Sequence, residues 1–80
     1  EKRLSAAESC FRRAIEIAGA QEDRMFQLRA ANSLARLFRG DGRDGEAGTL
    51  LRALYGWFTE GFDAPDLREA KALLAELGAA

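Results

Sequence analysis

The chain has 80 residues, a net charge of −1, one cysteine and no histidine. That length admits one small domain, which buries roughly 60% of the surface its unfolded chain exposes. Without histidine there is no Ser–His or Cys–His pair and no zinc-binding HExxH helix, and one cysteine supports neither a disulfide framework nor a multi-cysteine metal site. Hydrophobic residues at 48% against 31% charged describe a globular chain rather than a disordered one. No apolar run approaches the roughly 18 residues of a membrane span. No charged-then-apolar leader is read at the start of the sequence, so a cytoplasmic location is expected.

The charges are unevenly placed. Residues 1–40 carry eight basic and five acidic side chains, residues 41–80 four basic and eight acidic. Such a split marks either an electrostatic partner surface or a piece of a longer stack whose ends face neighbours of opposite sign. The periodicity described next favours the second.

Residues 4–18 place Leu4, Ala7, Phe11, Ala14, Ile15 and Ala18 at steps of three and four, the apolar stripe of a helix. Ser5 and Glu8 have capping-box spacing and predict a start there, and Gly19 predicts the stop. A second helix is expected from about Glu22 to Arg39, with Leu28, Ala31, Leu34, Ala35 and Phe38 as its stripe, extended by Met25 alone or by Met25 and Phe26. Glu22 and Asp23 suit its positive N-terminal end. The run GDGRDG at 40–45 breaks it. A third helix is expected from about Asp44 to Phe58, with Ala47, Leu50, Leu51, Leu54 and Phe58 on its stripe. The stretch TEGFDAPD, residues 59–66, is an irregular link in which Asp63 or Asp66 caps the next helix and Pro65 opens it. Leu67, Ala70, Leu73, Leu74 and Leu77 form the last stripe, ended by Gly78. No segment alternates with period two. The fold class is all-α, with four helices joined by short turns.

The first and third helices share a pattern. Ala7, Phe11 and Ala14 match Ala47, Leu51 and Leu54 at an offset of forty residues, and an internal period of this size points to stacked helix pairs. The stretch SLARLFRGDGRDGEAGTLL resembles a tetratricopeptide repeat through Leu34, Ala35, Phe38, Gly42, Ala47 and Leu51. The resemblance implies that Ala35 and Ala47 meet where two helices approach closely and that Gly42 belongs to the turn between them. AAESCFRRAIEIA looks like the second helix of a preceding unit, with Ala7, Phe11 and Ala14 in the pattern. Ala31 stands where the family has an aromatic residue and Thr59 where it has a proline, and the period exceeds the family's, about 34 residues. These departures place the chain in a divergent, long-helix subgroup. The resemblance implies a single domain over 1–80: residues 1–20 as the second helix of a truncated repeat, 21–60 as one long repeat and 61–80 as a closing helix.

A narrower resemblance rests on ESCFRRAIEIA, LRAANSLARLFRGDGR and LYGWFTEGFDAPDLREAKALLAEL. These phrases are similar to the C-terminal end of large bacterial signalling proteins that join a class III nucleotide cyclase domain, an ATPase domain and a tetratricopeptide tail. The resemblance implies a non-catalytic protein-interaction or scaffold segment, with a protein, a peptide or neighbouring domains of the parent chain as partner.

Several short motifs have plainer readings. Gly40, Gly42 and Gly45 spell GxGxxG, but a helix precedes them where a dinucleotide site needs a strand. Arg39, Gly40 and Asp41 spell RGD by chance. Asp41, Asp44 and Glu46 do not match a calcium loop. Cys10 reads as a half-buried structural cysteine. Glu60, Asp63, Asp66 and Glu69 sit at helix boundaries, where capping accounts for them. Tyr55, Trp57, Phe58 and Phe62 concentrate four aromatic residues; they read as packing between the third and last helices, with Trp57 or Tyr55 the ring to look for at the surface. Arg29, Arg36 and Arg39, with Arg12 and Arg13, form either a basic strip for an acidic peptide or phosphate, or solvated and ion-paired surface. Arg29, Arg36, Tyr55 and Trp57 are the candidate partner-binding residues. No catalytic, cofactor or metal residue is assigned, and neither a cofactor nor a membrane nor nucleic acid is expected as partner. The alternative reading is a small helical nucleic-acid-binding domain using the arginine face of the second helix. An N-terminal helix lacking its preceding partner is expected to drive self-association.

Overall fold

The computed structural model describes residues 2–58 and 64–78, with the side chains of 2–5 left aside. It is all-helical: α1 (Lys2–Ala20), α2 (Arg24–Gly40), α3 (Asp44–Tyr55) and α4 (Pro65–Glu76). No strand occurs among the described residues. The long α2 is the hub. Both α1 and α3 pack on it as helical hairpins, and α4 lies against α2 and α3 together.

The apolar stripes read from the sequence explain this arrangement. Leu28, Ala31, Leu34, Ala35 and Phe38 of α2 are buried with Ala47, Leu51 and Leu54 of α3 and Leu67, Ala70, Leu73 and Leu74 of α4. Phe11 and Ile15 of α1 pack against this core but remain half-buried. Ala35 and Ala47 are 1% and 0% exposed, so each stands where a larger side chain would hold the helices apart.

Two turns of the same geometry close the first two helices. After α2, Arg43 N–H donates to the Phe38 carbonyl (2.7 Å) and Gly42 N–H to the Arg39 carbonyl (3.1 Å), with Gly42 at φ +75°. This is the Schellman pattern, which requires a left-handed residue and favours glycine there. After α1, Asp23 N–H donates to the Ala18 carbonyl (2.8 Å) and Glu22 N–H to the Gly19 carbonyl (3.1 Å). Here the left-handed position is Glu22, at φ +58°, where an L side chain is strained.

Four boundary expectations are corrected. Helix α1 begins at Lys2, so Ser5 lies inside it and is not its cap. Gly19 is not the stop: α1 runs on to Ala20, and a Cβ on Gly19 would come within 2.8 Å of Gln27 Nε2. The glycine lets α2 come close. Helix α3 ends at Tyr55 rather than Phe58, because the chain turns at Gly56 and Trp57. Helix α4 is capped by extended Ala64, with Pro65 opening the first turn as expected, so Asp66 is in the helix and not its cap. Thr59, Glu60, Phe62 and Asp63 lie outside the described residues. Asp23 is the N-cap of α2, its Oδ1 accepting from Phe26 N–H at 3.1 Å.

Candidate interaction surfaces

The arginines of α2 that the sequence set apart lie on one side of the helix. All three meet acidic residues of α4. Arg29 Nε and Nη2 both donate to Asp66 Oδ2 at 3.2 Å, Arg36 pairs with Glu69, and Arg39 pairs with Glu76. Asn32, on the same side, donates through Nδ2 to the Asp66 carbonyl (3.0 Å). Asn32 is 1% exposed, and its Oδ1 has no hydrogen-bond partner among the described residues. A buried amide with one satisfied group fixes register more than it adds stability. The leucine face of α4 supplies the burial, while the ion pairs decide which helix fits and at what offset.

A second charge cluster joins α1 to the start of α3. Arg43 donates to Glu46 (2.8 and 2.7 Å) and to Glu8 (3.0 and 3.4 Å), and Arg12 donates to Glu8 (3.0 Å). The hydrogen bond from Arg43, then that from Arg12, holds the Glu8 carboxyl below its ordinary range. Arg43 does the same to Glu46. The two carboxylates in turn raise Arg43, Glu46 the more strongly. Beneath them lies the Phe38 ring, with the guanidinium carbons of Arg43 and Arg12 at 4.2 and 5.5 Å from its centroid, an orientation that attracts cation to ring face. An open groove of about 690 Å3 runs beside this cluster, lined by Phe38, Leu50 and Ala53, with Arg12 and Glu46 among its polar residues.

The aromatic run divides. Tyr55 and Phe58 are half-buried against the core, whereas Trp57 is 54% exposed, with Arg24 stacked 3.9 Å from its centroid. Phe62 lies outside the described residues. Among the described residues Ile17 and Phe26 are the other large apolar side chains at the surface, 47% and 46% exposed, so Phe26 does not extend the buried stripe of α2. Cys10 is exposed, which corrects the half-buried reading. It sits off the stripe of Ala7, Phe11, Ala14 and Ala18. Of the repeat-packing residues, Leu34, Ala35, Phe38, Ala47, Leu51 and Leu54 come together in the core, Ala7, Phe11 and Ala14 are half-buried along α1, and Gly42 makes the turn.

Sequence reasoning passed over Gln27, which is 7% exposed and donates from Nε2 to the Ile15 carbonyl at 3.2 Å. Its Oε1, like Asn32 Oδ1, has no partner among the described residues. The signal was present: Gln27 lies four residues before Ala31, and Asn32 four after Leu28, so both are polar residues beside the apolar stripe. No cluster of three or more His, Cys, Asp or Glu side chains among the described residues is arranged to hold a metal ion. No helix among them is long and apolar enough to cross a membrane. Comparisons of the chain with protein-family models, with curated proteins and with solved structures return no match.

Proposed function

We propose that this chain is a non-catalytic protein-interaction module of tetratricopeptide-like architecture, acting as a scaffold at the C-terminal end of a larger cytoplasmic signalling protein with cyclase and ATPase domains. The observation that carries the reading is the order of packing. Helix α2 takes α1 on one flank and α3 on the other, and α4 then lies on the α2–α3 pair. Stacked helix pairs build a continuous core in this way, each helix burying its stripe against the next. The small residues Ala35 and Ala47, both buried in the core, and Gly42 in the turn fit the same scheme. Exposed Trp57, Phe26 and Ile17 offer the aromatic and aliphatic anchors on which helical interaction modules rely. The nucleic-acid alternative is less well supported, since Arg29, Arg36 and Arg39 already hold carboxylates of α4.

The test has two parts. The reading frame upstream of residue 1 should encode class III cyclase and ATPase motifs; a frame without them removes the proposed context. Isothermal titration of the purified upstream domains with this chain should then give saturable 1:1 binding that weakens in Trp57→Ala. Absence of binding at concentrations up to about 1 mM, the weak end of measurable affinity, would overturn the scaffold role.

A further inference from the structure

The closest match of opposite charge among the described residues is internal. Three arginines of α2 face three carboxylates of α4, at positions 29, 36 and 39 against 66, 69 and 76. Beside them, Leu67 and Ala70 are fully buried and Leu73 and Leu74 nearly so. We propose that the α2 arginine strip and the adjoining α2–α3 seam form a receptor site for an acidic, leucine-striped helix. The chain's own α4 fills it in dilute solution, and α4 of a second copy fills it at high concentration, giving a closed dimer in which the two chains exchange this helix. The inference rests on the α2–α4 contacts alone and holds whatever the parent protein does.

Three features support exchange. Helix α4 touches α2 and α3 but not α1, so the contacts between α1 and α2 are the same in the monomer and in the exchanged dimer. Every one of its contacts, including the three ion pairs and the Asn32 bond to the Asp66 carbonyl, is reproduced when an identical helix arrives from another chain. Such exchange is a low-cost route to dimers. Nine residues, 56–64, separate α3 from α4 and can extend over about 30 Å, comparable with the 38 × 30 × 17 Å dimensions of the molecule. The tethered helix has an effective concentration in the millimolar range. The cis form therefore dominates at micromolar protein, and exchange requires either millimolar protein or a penalty on the cis form.

That penalty can be designed. One chain carries R36E and R39E, so that its α2 repels its own α4; the other carries E69K and E76K, with the same result. In a helix-exchanged heterodimer both sites regain opposite charges. Each variant alone should be a monomer of lowered melting temperature. Their equimolar mixture at 150 mM salt should show twice the monomer mass by light scattering and recover a melting temperature near that of the unaltered chain. Should either double variant fail to fold, the single pair R36E and E69K serves with the same readouts.

Two controls make the result decisive. A charge-matched pair, R13E with R52E against E16K with E22K, alters the same net charge at positions outside both α2 and α4 and should stay monomeric on mixing. A mixture of the designed pair that remains two monomers overturns the proposal. So does equal dimerisation of the charge-matched pair, which would show bulk attraction only. So does loss of the designed dimer on adding Ile17→Ser to both chains, which would place the contact on α1.

Discussion

The two flanks of α2 are built differently. On the α3 and α4 side, Leu51, Leu67 and Ala70 are fully buried and Leu54, Leu73 and Leu74 nearly so. On the α1 side only Ala18 is fully buried among the described side chains of that helix, and Phe11 and Ile15 are half-covered. What places α1 is largely polar and steric: the Gln27 bond to the Ile15 carbonyl, the approach allowed by Gly19, and the Glu8–Arg43 bridge to α3. Apolar area sets how strongly an element is held, at about 25 cal/mol per Å2 removed from water. Exposed ion pairs add at most about 1 kcal/mol each and chiefly fix register. The α2–α3–α4 part, with its fully buried side chains, is thus expected to be the stable unit, while α1 contributes fewer fully buried side chains among those described.

Core truncation should separate the flanks most widely. Leu51→Ala, at the centre of the α2–α3 seam, should lower the unfolding free energy by about 2–5 kcal/mol. Ile15→Ala removes a half-covered side chain from α1 and should lower it by about 1 kcal/mol. Urea denaturation of the two variants measures the difference; equal losses would break the comparison. Next in size is Gly19→Ala. Its new Cβ would press on the Gln27 amide at 2.8 Å, and moving that amide forfeits its bond to Ile15 while leaving Gln27 buried. A loss of about 1–2 kcal/mol is expected, the cost of an unsatisfied buried amide, read as a lowered denaturation midpoint.

The Glu22 position should give a gain. Its left-handed backbone costs a non-glycine residue about 1–2 kcal/mol, and glycine gives back part of this through added freedom in the unfolded chain. Glu22→Gly should raise stability by about 0.5–1 kcal/mol in the same assay, while Gly42→Ala, at the matching turn after α2, should lower it by about 1 kcal/mol.

The smallest expected effect is the pH dependence at Arg43. Glu8 and Glu46 titrate below their ordinary 4.5 in the folded chain because Arg43 donates to both. Groups depressed in this way stabilise the fold above the unfolded value and lose that contribution as pH falls through the folded one. Arg43→Met should therefore flatten the decline in melting temperature below about pH 4.5. An unchanged acid profile would show that the cluster does not hold α1.

Much of the fold was legible because periodicity reports burial. Leu28, Leu34, Phe38, Leu51 and Leu67 were all on the expected stripes, and all are in the core. Helix ends were less legible. Glu22 takes the left-handed turn that glycine signals elsewhere, so the sequence places the stop after α1 at Gly19 instead. Gly56 ends α3 early in an unexceptional right-handed conformation. The surfaces were least legible. That Arg29, Arg36 and Arg39 form one basic face follows from helical spacing, but their meeting with Asp66, Glu69 and Glu76 depends on how α4 docks across a distance of more than thirty residues. Arg43 lies in a glycine-rich turn, where no periodicity marks it, yet it joins two helices over the Phe38 ring. The exposure of Cys10 follows from its place just off the stripe, where one residue of offset decides which side it faces.

If α2, α3 and α4 form the stable unit, α1 opens before it. Native-state hydrogen exchange, followed residue by residue in increasing denaturant, tests it most directly. Amides of Phe11–Ala18 should exchange through an opening of lower free energy than those of Leu28–Phe38 and Ala47–Leu54, and the two sets should merge only near the unfolding midpoint. Equal protection of α1 and α2 in the absence of denaturant would mean instead that the four helices open as one unit.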